Sequence, residues 1–193
     1  MPKCTAARMD FGRLRRRVIE ANFQGGTISS DGGLMLPRQV DRRIGLSAAA
    51  AAALSDPHGP ERITPLRELL AQRLYGLCRG HGDLSDHARL RADPLPQSAV
   101  GTDRTLASSP MLSRLETRAT RADRVALNRV LLERFIAAHA TPPAELVLDI
   151  NASDIPLHEE QEQAEFQAYY DHYRYLPLYV FCGQAMLACV PRS

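Results

Sequence analysis

Apolar and polar positions change rhythm once along this chain, near residue 140. Before that point the apolar side chains recur at helical spacing. Leu34 to Ile44 is the first such segment, fed by a turn at 23–34 in which two Gly-Gly pairs flank a short β-like piece. Ser30 or Asp31 stands where a cap is needed. No Gly-Lys-Ser/Thr follows the glycines, which argues against a nucleotide-binding P-loop. Thr64-Pro65 marks a second start, a capping residue with proline at the first helical position, and Leu66, Leu69, Leu70, Leu74 and Leu77 then share one face. Gly80 and Gly82 close that helix. Asp83 caps another over Leu84–Arg91, which Asp93-Pro94 stops. His81 and His87 have no evident partner set and read as surface or capping residues rather than metal ligands. After a Ser/Gly/Pro-containing loop, Ser109-Pro110 opens a helix through Leu112 and Leu115. Thr120 caps a longer one with Val125, Val130, Leu131, Phe135 and Ile136 as its apolar face.

Thr141-Pro142-Pro143 is the hinge to a different pattern. Residues 145–150 form a short apolar run that predicts a central strand buried on both faces. A polar stretch at 156–171 follows. Tyr175–Cys182 and Gln184–Val190 then predict neighbouring strands with Gly183 at the turn.

Asp149 interrupts the first of these strands. A carboxylate in a buried strand is costly unless it is paired, hydrogen-bonded or metal-bound. Side chains alternate along a strand, so Asp149 and Asn151 point to one side, about 7 Å apart. Ser153 and Asp154 stand where the strand ends. Acidic groups at such a place suit a metal site for phosphoryl chemistry, whereas one Asp taken alone at a strand end reads as a cap on the next turn.

Charge sharpens the division. Residues 1–140 hold 22 Lys and Arg against 14 Asp and Glu, whereas 141–193 hold 2 against 8. Lys3 is the only lysine. Arginine suits bidentate phosphate contacts, and a basic front with an acidic back suits a protein that holds nucleic acid with one part and metal with the other. Arg13, Arg15, Arg16 and Arg17 form the densest cluster, readable as a phosphate clamp or as a solvated arm. The four cysteines, Cys4, Cys78, Cys182 and Cys189, contain no Cys-x-x-Cys pair, which argues against a zinc ribbon and a disulfide framework. No run of about 18 apolar residues and no apolar signal core are present, so the expectation is a cytoplasmic protein with no membrane partner.

Leu148-Asp-Ile-Asn-Ala-Ser-Asp154 resembles the Leu-Asp-x-Asp-x-Thr strand of bacterial insertion-sequence transposases of the DDE type, in particular the insertion-sequence thirteen-eighty group. Further stretches carry the likeness in order: Ile28–Leu34, Gln72–Tyr75, Gly82–His87, Leu90–Pro94, Leu106–Glu116, Gln161-Glu162, Tyr169-Tyr170 and Tyr175–Leu178. The resemblance implies an α+β chain. Residues 1–140 would be a mainly helical, basic, DNA-binding region, and 141–193 the first strands of a ribonuclease H-like mixed sheet. In such a core three acidic residues hold two divalent cations, usually magnesium. One activates water or a DNA 3′-hydroxyl, and the other stabilises the leaving oxygen. The implied partner is double-stranded DNA with terminal inverted repeats, and the enzyme is compatible with a homodimer.

Two departures qualify this. Asn151 stands where the family carries Asp, and Ser153 where it carries Thr. Asn keeps a carbonyl oxygen but loses the charge. The sequence also stops at Pro191-Arg-Ser193, ahead of the family's second Asp and its Glu. The expectation is therefore a truncated transposase, inactive alone, with Asp149, Asn151 and Asp154 as its candidate catalytic positions and Asp149 with Asn151 as its metal ligands. Arg13, Arg15, Arg16, Arg17 and Arg114 are the candidate DNA contacts. Two alternatives stand beside it: a DNA-binding module that competes with an intact transposase, and a helical interaction protein without a nucleic-acid role.

Overall fold

The computed structural model describes residues 9–14, 17–21, 32–56, 59, 63–157, 165–168 and 171–191. Helices and small antiparallel sheets make it an α+β chain. Its contacts divide it into two compact units, Met1–Ala119 and Thr120–Ser193. The last long helix therefore falls with the strands.

The first unit opens on a feature the helical rhythm does not announce. Met9–Leu14 (β1) and Arg17–Ala21 (β2) pair as an antiparallel hairpin where the arginines suggested an arm. Gly12, at φ +75°, donates its N–H to Asp10 Oδ1 at 2.7 Å, and the register shifts between Asp10 and Arg13. Alternation then aims Ile19 inward while Val18 and Glu20 face water. The proposed caps Ser30 and Asp31 lie outside the described residues.

Six α-helices complete this unit among the described residues: α1 (Met35–Ile44), α2 (Leu46–Ala53), α3 (Leu66–Cys78), α4 (Asp86–Leu90), α5 (Pro94–Val100) and α6 (Ser109–Thr117). Helix α2 is Leu-Ser followed by six alanines, so it has no apolar stripe to read; alanine's propensity carries it. Helix α5 occupies what looked like a stop and a loop. Asp93 caps it by accepting the Leu95 N–H at 2.8 Å, and Pro94 sits in its first turn, where a missing N–H costs nothing. Helix α3 starts one residue later than expected, with Pro65 at the cap position. Of its leucines, Leu66 and Leu69 are buried, whereas Leu77 is 49% exposed. The buried face is completed by Ala71, Gln72, Tyr75 and Gly76.

Two buried polar groups tie these helices together. Gly45 ends α1 in a left-handed conformation, which turns the chain so that α2 begins beside Asp41. The Asp41 carboxylate accepts the Ser47 N–H and the Tyr75 hydroxyl, both at 2.7 Å, and also the Ser47 hydroxyl. Burial pushes this carboxyl up, but the hydrogen bonds from Ser47 and Tyr75 outweigh it and hold it below its ordinary value. Burial, and then the bond to Asp41, push the Tyr75 phenol up.

The second group is His87, only 1% exposed, which corrects its reading as a surface residue. The amide of Gln72 accepts the Ala107 N–H at 2.9 Å and donates to the Ala107 carbonyl at 3.0 Å. That fixes which end is Nε2, whose second hydrogen reaches His87 Nδ1 at 3.3 Å. Nδ1 must then be the acceptor, and the neutral ring carries its proton on Nε2. The ring packs on Gly76, where an added Cβ would lie 2.7 Å from its Cε1.

Burial, followed by the nearby Arg73 and His81, lowers the His87 pKa. The unfolded chain, with an ordinary His pKa of about 6.5, therefore takes up a proton that the folded chain refuses. Stability should fall as pH drops below about 6.5, by at most about 1.4 kcal/mol per pH unit from this one group, until the folded-state pKa is reached. Urea denaturation of the chain and of His87→Gln at several pH values checks this; the variant should lose that part of the slope.

Candidate functional site

The second unit begins with α7 (Arg121–Ala137). Thr120 caps its start, as the sequence suggested, and Asp123 reciprocates to make a capping box. Val130 is buried and Leu131 and Phe135 are half-buried, but Val125 and Ile136, expected on the same apolar face, are 63% and 61% exposed. Helix α7 runs along a three-stranded antiparallel sheet in the order β3 (Leu148–Ala152), β7 (Leu178–Cys182), β8 (Ala185–Val190). The three strands expected in this half thus lie in one sheet, with Gly183 at φ +58° in the β7–β8 turn. The outer edge of β8 is satisfied by a side chain. Asn128 of α7 donates to the Cys189 carbonyl and accepts the Cys189 N–H, both at 3.0 Å.

Strand β3 is different. All five of its residues are exposed, with Leu148 at 50% and Ile150 at 57%. The prediction of a strand buried on both faces is corrected. Its apolar run is real, but among the described residues it pairs only with β7, and it lies two strands from the one against which α7 packs.

Asp149 therefore needs no partner to be tolerated; water solvates it. It nevertheless has one. Asn151 shares its face, and the Asn151 Nδ2 donates to Asp149 Oδ1 at 2.6 Å. Register sets Asp149 opposite Phe181 and Asn151 opposite Tyr179, so two aromatic rings, with centroids 6.4 Å apart, continue this face across β7. Burial, and then the adjacent Cys189, push the Tyr179 phenol up.

Asp154 is committed elsewhere. The Ser153 N–H donates to the Pro177 carbonyl at 3.0 Å as the chain leaves β3. It enters a second three-stranded sheet, in the order β4 (Ile155–Pro156), β6 (His172–Tyr175), β5 (Glu165–Gln167). There Arg174 Nη1 reaches Asp154 Oδ2 at 2.8 Å, with His172 Nε2 3.7 Å away. Arg174 is 5% exposed, so this carboxylate offsets a buried positive charge.

The basic residues separate in a similar way. Arg15 and Arg16 lie outside the described residues, and Arg13 is exposed on β1. Arg17 is occupied, donating from Nη1 to the Pro94 carbonyl and to Ser98 Oγ, both at 3.0 Å, which anchors the hairpin to α5. Arg114 is exposed on α6 and donates Nε to the Pro110 carbonyl one turn back, at 3.1 Å. Other arginines of the front half are structural: Arg73 reaches Glu116 and the carbonyls of His81 and Gly82, and Arg104 reaches Glu68 and the carbonyl of Ile63.

Among the described residues no group of three His, Cys, Asp or Glu side chains is placed to hold a metal ion. Nor is any helix there long and apolar enough to cross a membrane. Sequence reasoning missed Tyr179, Phe181 and Asn128. The parity of β7 would have paired the two rings, but nothing local sets the β3–β7 register. A family model described as "Transposase DDE domain group 1" matches residues 11–193. No curated protein and no solved structure matches the chain significantly.

Placing a second carboxylate beside Asp149 should raise cation affinity, because hard dications respond to the number of anionic oxygens. Asn151→Asp should bind magnesium or manganese about tenfold more tightly than the natural chain, by calorimetric titration. Equal affinity would mean that positions 149 and 151 do not act on one cation.

Proposed function

We propose a function from one premise: the chain belongs to the transposase DDE domain group 1 family. Its work is in DNA transposition. We read it as a protein that holds double-stranded DNA, with Asp149 on the strand that carries the family's first acidic position. The antiparallel order β3–β7–β8 supports reading this sheet as the opening strands of a ribonuclease H-like core. The expected partner is DNA with terminal inverted repeats, in the cytoplasm, and the metal implied by the resemblance is magnesium.

Among the described residues the donor set does not fit two divalent cations. Asn151 is neutral and points an N–H, not an oxygen, at Asp149. Asp154 already balances Arg174. Two-metal transfer needs several anionic ligands at short range, so no cleavage step is routed through these residues. The proposed role is binding: the chain occupies element ends without cutting them and competes there with an intact transposase. The observation that carries this is the single carboxylate of Asp149 with an amide bonded to it.

Binding should depend on salt. Each phosphate contact removed lowers the slope of log affinity against log salt by about 0.9 for duplex DNA. Arg13→Ala, Arg15→Ala and Arg16→Ala together, with Arg114→Ala added separately, should weaken binding and flatten that slope in fluorescence anisotropy titrations. Arg17 serves as the contrast: because it anchors β2 to α5, Arg17→Ala should lower thermal stability. If the slope is unchanged by all four of these substitutions, the DNA surface lies elsewhere.

A further inference from the structure

Helix α1 turns Met35, Arg38 and Asp41 to its buried face. Arg38 and Asp41 are three residues apart, a spacing at which opposite charges on a helix can pair. Here they do not. The Asp41 oxygens accept the Ser47 N–H, the Ser47 hydroxyl and the Tyr75 hydroxyl. Arg38 is 4% exposed, and its Nη1 is buried with no hydrogen-bond partner. The other buried arginine among the described residues, Arg174, meets the Asp154 carboxylate at 2.8 Å. Arg38 meets further positive charge instead. Arg42 stands one turn along α1, and Arg67 stands in the first turn of α3, which packs on α1. Burial, then Arg42 and more weakly Arg67, act against the Arg38 charge, and Tyr75 works the other way. Arg67 also acts on Asp41 and Tyr75, which puts it at the same junction. Arg42 and Arg67 are exposed, and among the described residues neither forms an ion pair. The junction therefore sets three guanidinium groups against one carboxylate whose oxygens are already engaged.

A guanidinium does not escape burial by losing its proton, and a buried charge without a partner is costly. An oxyanion removes that cost, because it accepts the orphaned N–H in a charge-assisted hydrogen bond. We propose that Arg38, Arg42 and Arg67 form a binding site for a phosphate group, with Arg38 at its floor and Arg42 and Arg67 closing on it from solvent. Three forks suit a tetrahedral group with more than two oxygens better than they suit a carboxylate. The site goes beyond the DNA-binding reading above: inorganic phosphate and a phosphate of the DNA backbone share the chemistry it recognises. None of its three arginines belongs to the cluster at 13–17, so the two sets can be tested apart.

Scanning calorimetry of the full chain in sodium phosphate, against sodium chloride of equal ionic strength, tests the site. Phosphate should raise the melting temperature saturably, by about 5 °C at ten times its dissociation constant. Arg38→Met keeps most of the bulk and removes the charge. It should melt no lower than the natural chain in chloride, and it should lose the phosphate response. Arg42→Gln with Arg67→Gln changes exposed positions only and should weaken phosphate binding about tenfold. No response in the natural chain, or an undiminished response in either variant, would overturn the site. Anisotropy of a labelled duplex separates the two sources. If the DNA backbone supplies the group, phosphate should displace the duplex more strongly than matched chloride does, and the double variant should bind the duplex more weakly. If neither happens while the phosphate response persists, the site stands and takes free phosphate. Duplex binding by a chain that does not respond to phosphate would remove the site and leave the DNA-binding reading intact. A phosphate response without duplex binding would do the reverse.

Discussion

Strand β7 is the one on which the second unit depends. It is the central strand of its sheet, hydrogen-bonded to β3 on one side and β8 on the other. Its register decides what Asp149 and Asn151 face, and a one-residue slip would exchange Tyr179 and Phe181 for Leu178, Val180 and Cys182 on that side. The sheet is protected unequally. On the β8 side the Asn128 amide pairs with both backbone groups of Cys189. On the β3 side apolar side chains and a carboxylate stand in water together. That inequality leaves Asp149 and Asn151 on an exposed strand.

Much of the local structure was legible because it rests on local chemistry. The Thr120 cap, the Ser-Pro start of α6 and the Gly183 turn are decided by neighbours a few residues away, and each stands where expected. The side-by-side placement of Asp149 and Asn151 follows from strand alternation alone. The failures share a cause as well. Poly-alanine α2 and proline-led α5 have no periodic stripe to detect. Hairpin β1–β2 hides its alternation among arginines. The burial of His87 depends on Gln72 and Ala107, which lie 15 and 20 residues away on either side, so no local pattern reveals it. The exposure of β3 is the extreme case, since an apolar run specifies a strand but not what covers it.

Charge gave an incomplete guide for the same reason. An excess of arginine in 1–140 suggests a surface for phosphate, yet Arg17, Arg73 and Arg104 spend their donors on carbonyls and carboxylates within the fold. Arginine's planar fork serves both purposes, and only position distinguishes them. The acidic half divides likewise: Asp154 balances the buried Arg174, and Asp149 is left with an amide instead of a second carboxylate. In both halves, then, charged groups counted from the sequence as candidates for DNA or metal are in part committed to holding the fold together.

The most direct test of the proposed binding role is a strand-cleavage assay. The purified chain is incubated with duplex DNA bearing terminal inverted repeats, in magnesium and separately in manganese, and the strands are resolved on a denaturing gel. The account predicts intact strands in both metals at protein concentrations that saturate binding. Metal-dependent nicking that disappears in Asp149→Ala would contradict it, by showing that one carboxylate and one amide suffice to assemble a working site.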